Sequence, residues 1–593
     1  MDYRPDAADA CYLLEQVLDA PAQLRALAPF AEIDSDLMGQ VLEEAARFAG
    51  EVVAPLNAVG DAVGAQFHDG KVTMPPGFAD AYRAFRQAGW PALACAPEDG
   101  GQGLPWVLEG VLYEWLTGAN HGWTMAPGLL HGAYECLRHH ASEELKARYL
   151  GRIASGEWLA TMCLTEPQAG SDLGLVRTRA VPQADGSHRL AGTKIFISGG
   201  EHDLTDNIVH LVLAREPGAP PGPKGLSLFL APKFLVPPPG EGRNTDLPPP
   251  PGEGWGGGTR NAIVCERIEE KMGLHGSPTC VLRFDDAIAW RVGEPGRGLS
   301  AMFVMMNAAR LHVALQGVGL LDAAWQKAHA YAQERLQMRA PGGTLGAGEA
   351  DPIIRHPAVQ RTLDTERAWI DGLRVLAYHT GVQLDIARHH ADPAQRQSAQ
   401  QWCSLVTPVL KSLCTEQGSG GAGRLLQVFG GHGYVREWGI EQHVRDARIT
   451  LIYEGTNEIQ AIDLLARKVL PDGGAGIESM LQQLALGVDT AAADGPETSA
   501  RLQDAVRLTQ ELVQASRAQA GLAFEAADDY LRAIGLALLG WAWHRIDRSQ
   551  HARQARWAAP HRALRLRVLP EYEMRAGILR TQCRAAAAAV QAA

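Results

Sequence analysis

The chain has 593 residues, of which 46% are hydrophobic and 21% charged, with a formal net charge of -12. That length allows about three or four packed domains of roughly 150 residues each. The composition is that of a globular protein, and the acidic balance argues against a general nucleic-acid binder.

The N-terminus, "MDYRPDAADACYLLEQ", lacks the basic-then-apolar order of a signal peptide. The longest uncharged apolar run, "AIGLALLGWAW", is too short to span a bilayer. A cytoplasmic protein with no transmembrane segment is expected. From Leu13 to about Ala154 the pattern is helical. Leu37, Val41, Leu42, Ala45, Phe48 and Val52 fall at helical spacing, and Pro55 is expected to stop that helix. Glu98 to Trp106 is a glycine-rich loop, and Ser142 is placed to cap the helix after it.

After Trp158 short apolar runs alternate with turn residues, in "RLAGTKIFISGG", "NIVHLVLAR", "GLSLFLAP" and "CVLRFDDAIAW". These predict antiparallel strands. The proline-rich stretch from Val236 to Gly258 is neither helix nor central strand, because proline lacks a backbone donor. From Leu299 to about Leu470 a well-buried helix bundle is expected. Pro471 to Gly476 breaks it, and a further helical segment rich in Ala and Arg follows. The fold class is therefore mainly α with a central β domain. The expected boundaries are 1–160, 161–292, 293–470 and 471–593.

Nine cysteines are scattered without a C-x-x-C pair, so reduced thiols and no metal site are expected. "CLTEPQAGSDLG" offers hydroxyls and free amides on a tight turn, suited to an anion or a ring edge, though an ordinary polar turn reads equally well. In "GTKIFISGG", Phe196 and Ser198 should alternate with Ile195 and Ile197 along a strand, as a ligand-facing pair or as core and rim. "QVFGGHGYVRE" has three glycines that permit close backbone approach, but it is not a dinucleotide-binding fingerprint. In "RDARITLIYEGTNEIQ", Glu454 stands between an apolar run and a Gly-Thr turn, the setting of a partly desolvated base.

Four segments occur in order: Thr165–Asp172, Lys271–Cys280, Gln427–Tyr434 and Arg445–Thr456. Their sequence and spacing resemble the acyl-CoA dehydrogenase family over about residues 40 to 470. The resemblance implies bound FAD, an acyl-CoA substrate and trans-2,3-desaturation in fatty acid β-oxidation. It assigns Met162, Leu164, Thr165, Ser171, Phe196, Ser198, Arg335, Gln427, Gly430, Gly431, Thr456 and Glu458 to FAD. Ser171, Asn307, Arg310 and Gly455 go to the substrate. Glu454 is the implied catalytic base, and the alternative position used by some relatives is here Ala309. Three departures are Leu175 where a small residue is usual, Gln442 in place of Lys or Arg, and the long 236–258 loop.

Residues 471–593 resemble the extended bacterial branch of that family. That branch implies a homodimer, electron-transfer flavoprotein as acceptor, and a fatty acyl-CoA or 3-methylmercaptopropionyl-CoA as substrate. Alternatives are an acyl-CoA oxidase using oxygen and a non-catalytic flavin-binding or DNA-associated relative. From residue 531 onward eleven Arg face three acids, Asp547, Glu571 and Glu573. Pairing within the protein is the favoured reading, ahead of a nucleic-acid patch or a membrane-surface helix.

Overall fold

The computed structural model describes residues 2–235, 259–341, 350–519, 521–549 and 554–592; the proline-rich stretch 236–258 lies outside the described residues. Two compact units interleave along the chain. One comprises Met1–Gly50, Pro105–Ala119 and Arg310–Ala593, the other Glu51–Leu104 and Asn120–Ala309.

The second unit carries a two-stranded hairpin, β1 (Gln66–His68) and β2 (Lys71–Thr73), which the helical reading of that region does not anticipate. Among the described residues its main sheet has seven strands: β3 (Leu159–Cys163), β4 (Arg179–Pro182), β5 (His188–Ser198), β6 (Ile208–Arg215), β7 (Leu226–Pro232), β8 (Ile263–Ile268) and β9 (Thr279–Val292). The order is β3-β6-β4-β5-β9-β7, with β8 on β9. Because β7 also pairs with β6, the sheet closes back on itself. Most pairs are antiparallel as expected, but β3 runs parallel to β6, from Leu159 opposite Ile208 to Cys163 opposite Val212. Strands β6 and β7 are buried along nearly their whole length, which explains their unbroken apolar runs.

The first unit is helical. It includes α1 (Ser35–Phe48), capped by Asp34, whose carboxylate accepts from the Leu37 amide at 2.8 Å. Helix α1 gives way at Phe48 to a π turn, Ala49–Val53; Pro55, already in the second unit, lies in the 3-10 turn that follows, and a separate short helix runs from Asn57 to Val63. Helix α2 (Trp106–Thr124) breaks at Asn120, whose backbone is extended at φ -162°. The bundle helices are α3 (Gly298–Glu334), α4 (Pro357–His389) and α5 (Pro393–Leu426). Glycines let them approach: a Cβ on Gly317 would stand 2.4 Å from the Cys414 carbonyl, and one on Gly319 2.2 Å from that of Glu114. Helix α3 is long and apolar enough to cross a membrane, yet its most apolar window is 65% buried, as befits a core helix.

Helices α6 (Ile440–Arg448) and α7 (Asn457–Ile462) follow. Then come α8 (Ala475–Leu486), α9 (Gly495–Ala518), α10 (Ala527–Arg548), α11 (Gln554–Ala563) and α12 (Pro570–Ala592). The extension is seated on α4 by tryptophan. Trp543 Nε1 donates to the Ala368 carbonyl at 2.8 Å, and Trp557 Nε1 to Asp371 Oδ2 at 3.0 Å. Its arginines are largely paired within the unit. Arg532 meets Glu571 at 3.0 Å, Arg565 meets Glu497 at 2.8 Å, Arg575 meets Asp529 at 2.7 Å, Arg580 meets Asp504 at 2.8 Å, and Arg556 pairs with Asp9.

Candidate active site

In the first unit, the apolar run before Glu454 forms a 3-10 turn, Ile449–Leu451, at the end of α6. Tyr453 fastens it to α3, its hydroxyl donating to Gln316 Oε1 at 2.6 Å. Glu454 then adopts φ 55° and Gly455 φ 86°. A glutamate in the left-handed region costs roughly 1–3 kcal/mol, so surrounding contacts must hold it there. Gln460 Nε2 donates to the carbonyls of Glu454 at 3.1 Å and Gly455 at 3.3 Å. A Cβ at position 455 would stand 2.9 Å from that same amide nitrogen, so the glycine is required by both conformation and space.

The Glu454 side chain is half-buried. Removal from water pushes its carboxyl up to about 7, against the opposing attraction of Arg310 and Lys411. Arg310 is buried and its Nη1 lies 3.5 Å from Asp463 Oδ2. Lys411 is fully buried on α5, and its Nζ donates to the Gly455 carbonyl at 2.9 Å and to Asn457 Oδ1 at 3.0 Å. Thr456 caps α7, its hydroxyl accepting from the Ile459 amide at 3.4 Å. Glu458 is exposed in the first turn of α7. Because that helix begins only at Asn457, Glu454 and Glu458 do not share a helical face as an i, i+4 pair.

Gln427 opens a 3-10 segment, Gln427–Tyr434, in which Gly430 takes φ 57°. A Cβ on Gly430 or Gly431 would meet nothing within 4 Å, so this turn presents open backbone. The end of α3 packs against it: Tyr331 stacks on Phe429 with centroids 4.2 Å apart, and its hydroxyl lies 2.9 Å from His432 Nδ1. Arg335, one turn further, is exposed. Gln442 is buried and donates to Asp446 Oδ2 at 3.1 Å, a packing role for that departure. The Asn307 side chain lies outside the described residues.

In the second unit, the turn after β3 is fixed to β5. The Ile195 amide donates to the Thr165 carbonyl at 2.9 Å, and Lys194 Nζ donates to the Leu164 carbonyl at 2.9 Å. Lys194 also meets Glu166 Oε1 at 2.8 Å in a buried ion pair. Glu166 further accepts from the amides of Arg177 at 2.8 Å and Thr178 at 3.0 Å, and from the Thr178 hydroxyl at 2.6 Å. These donors outweigh burial and hold the Glu166 carboxyl down to about 2. The expected alternation of Ile195 to Ser198 is broken. A register shift falls between Lys194 and Ile197, and Phe196 takes φ 60°. Phe196 is 60% exposed, whereas Ile197 is buried. Thr165, Ser198 and Met162 are half-buried and Ser171 is exposed.

Sequence reasoning missed Lys411, Gln460 and the Glu166–Lys194 pair. The signal available was a lone cation on an apolar segment, Lys411 among Val409, Leu410 and Leu413, and Lys194 on the buried phase of β5. Lys194→Met is expected to destabilise the second unit by about 2 kcal/mol, less than a fully stranded buried charge, because Glu166 keeps its Thr178 and Arg177 donors. Denaturant melts would measure this.

Three domain families match the chain: acyl-CoA dehydrogenase N-terminal domain over residues 38–157, middle domain over 161–245 and C-terminal domain over 296–470. It is 43% identical to 3-methylmercaptopropionyl-CoA dehydrogenase of Ruegeria pomeroyi over 90% of this chain and 85% of that protein. It is 34% identical to the broad-specificity linear acyl-CoA dehydrogenase FadE5 of Mycobacterium tuberculosis, covering 92% and 90%. Among solved structures, Caenorhabditis elegans ACDH-11 in complex with C11-CoA superposes with TM-score 0.73 at 21% identity, covering 92% and 89%. An acyl-CoA dehydrogenase from Bacillus anthracis complexed with FAD gives 0.67 at 20% identity, covering 96% and 89%. The fold is that of acyl-CoA dehydrogenases, with added C-terminal helices. The chain belongs to the acyl-CoA dehydrogenase family, oxidoreductases that use FAD to desaturate acyl-CoA thioesters.

Proposed function

We propose that Glu454 is the base that removes the α proton of the acyl-CoA in this reaction. The observation that carries the proposal is a half-buried carboxylate with its pKa near neutrality on a loop clamped from both sides. A saturated thioester is a weak carbon acid, so a base matched to neutral pH and fixed in place is what the step requires. FAD supplies the acceptor for the hydride leaving the β carbon. The residues fit that group: the exposed Phe196 ring and the hydroxyls of Thr165, Ser171 and Ser198 suit a flavin, and the open Gly430–Gly431 turn suits its phosphates. Met162, Leu164, Arg335, Gln427, Thr456 and Glu458 complete the proposed FAD contacts.

The Glu454 amide has no acceptor among the described residues, which suits it to hold the developing enolate oxygen. Gly455 leaves that approach uncrowded. Arg310 and Asn307 are assigned to the acyl-CoA, with Ser171 and Gly455. Our reading adds a homodimer acting in the cytoplasm, with electron-transfer flavoprotein as the acceptor.

The substrate is assigned to the 3-methylmercaptopropionyl-CoA or straight-chain fatty acyl-CoA class, supported by the names of the two relatives above. The check is an anaerobic visible spectrum before and after each member of an acyl-CoA panel. Bleaching of the flavin band by one group of thioesters is the expected result. A band unmoved by every thioester sinks the assignment, and rapid reoxidation by air would point to an oxidase instead.

A further inference from the structure

Beneath the loop that carries Glu454, helix α5 presents a lysine that the reaction scheme above does not use. Lys411 is completely buried, with Val409, Leu410 and Leu413 buried around it on the same helix. An ammonium group is rarely found so placed without a specific task, because taking it out of water costs several kcal/mol. Its hydrogen bonds go to the catalytic loop, to the Gly455 carbonyl at 2.9 Å and Asn457 Oδ1 at 3.0 Å. Asn457 is itself held by α5: its Oδ1 accepts from the Thr415 hydroxyl at 3.2 Å, and its Nδ2 donates to the Ser412 carbonyl at 3.3 Å. From the other side Gln460 grips the carbonyls of Glu454 and Gly455. The two left-handed residues are thus locked between α5 and α7.

We propose that Lys411 is a positioning residue for α-proton abstraction. It pins the peptide next to Glu454 from below and, while protonated, sets a buried positive charge near the base. This rests on the reading of Glu454 as that base.

The electrostatics agree with the geometry. Glu454 is faced by Arg310 from α3 and by Lys411 from α5, both of which favour its ionised form. Lys411 is brought down to about 7 by burial and by Arg310, with Glu454 and Glu458 pulling the other way. The sign for the base is clear. Removing the lysine charge takes away one attraction that favours carboxylate, so the carboxyl should hold its proton to higher pH. A lysine that served packing alone would leave the titration of Glu454 where it is.

The experiment is single-turnover flavin reduction of the FAD-bound enzyme by a bleaching acyl-CoA, followed from pH 6 to 9 in Lys411→Met, Lys411→Gln and Lys411→Arg. K411M is expected to slow reduction about tenfold or more and to move the acid limb up by about one pH unit. K411R, which keeps the charge but not the compact geometry, should leave the limb in place and recover part of the rate. If K411M fails to retain FAD, the same upward limb shift is required of K411Q. An acid limb unmoved in the uncharged variants overturns the proposal. Running Glu454→Gln alongside separates the two ideas. If E454Q is inert while K411M and K411Q behave as wild type, only the Lys411 proposal falls; if E454Q still turns over, the base assignment falls with it.

Discussion

Glu454→Gln should retain FAD and the native fold, and lose flavin reduction by at least about a thousandfold, the upper range for a positioned general base. Glutamine matches glutamate in size, so the loop held by Gln460 and Lys411 has no reason to move. Wild type should show a reduction rate that climbs through pH of about 7, where the carboxyl ionises, and that limb should be absent from the variant's residual rate. Activity within tenfold of wild type would remove Glu454 from its role. Stability supplies an independent check with a definite sign. The folded-state pKa is raised above the unfolded value of 4.5, so the native state binds more protons between pH 4.5 and about 7. The stabilising contribution is therefore fully present below pH 4.5 and lost as pH rises through about 7. Gln cannot ionise, so E454Q should gain on wild type over that window. The gain should be roughly 2 kcal/mol after allowing for the solvent-facing part of the side chain. A variant that is both dead and more stable at pH 8 is what a functional carboxylate predicts, since active sites retain costly groups.

How much of this could be read from sequence depends on the range of the interactions. The Glu454–Gly455 turn, the Gly430–Gly431 turn and the strand carrying Phe196 are local, and their residue types announce them. What sequence does not announce is who holds them. Lys411 lies 43 positions before Glu454 and Lys194 lies 28 after Glu166, and neither spacing is periodic. The bulge at Phe196 shows only in the register against β9, a strand far along the chain. The parallel pairing of β3 with β6 is equally non-local, since it joins strands separated by two others in the chain. The arginine-rich extension was ambiguous for a similar reason: Arg556 finds Asp9 across almost the entire sequence.

The first unit's buried charge network supplies the second large effect. Arg374 on α4 donates through Nε to Glu114 Oε1 of α2 at 2.7 Å and through Nη2 to Asp322 Oδ2 of α3 at 2.8 Å. Tyr378 donates to Glu114 Oε2 at 2.7 Å and Tyr3 to Asp322 Oδ2 at 3.1 Å, and all five side chains are buried. Arg374→Leu leaves two carboxylates in the core with their main counter-charge gone, and should destabilise the unit by about 3–5 kcal/mol. The apparent urea midpoint at pH 7 measures it. Burial raises the Glu114 carboxyl, with Arg374 opposing the shift; Asp322 is held below its usual range because Arg374 and Arg367 outweigh its burial. In wild type the Asp322 contribution is present above the ordinary carboxylate pKa and lost as pH falls through the depressed value. Without Arg374 the Glu114 carboxyl loses the cation that opposes its burial and Asp322 keeps only Arg367, so protonation becomes easier at both and the variant's deficit should shrink as pH drops from 7 toward 4.5. Adding Glu114→Gln and Asp322→Asn to R374L removes the stranded charges and should recover much of the loss at pH 7, because replacing a whole buried network costs far less than breaking it. A triple variant no more stable than R374L would show that the arginine acts through packing rather than charge. A deficit that stays constant with pH would argue the same way.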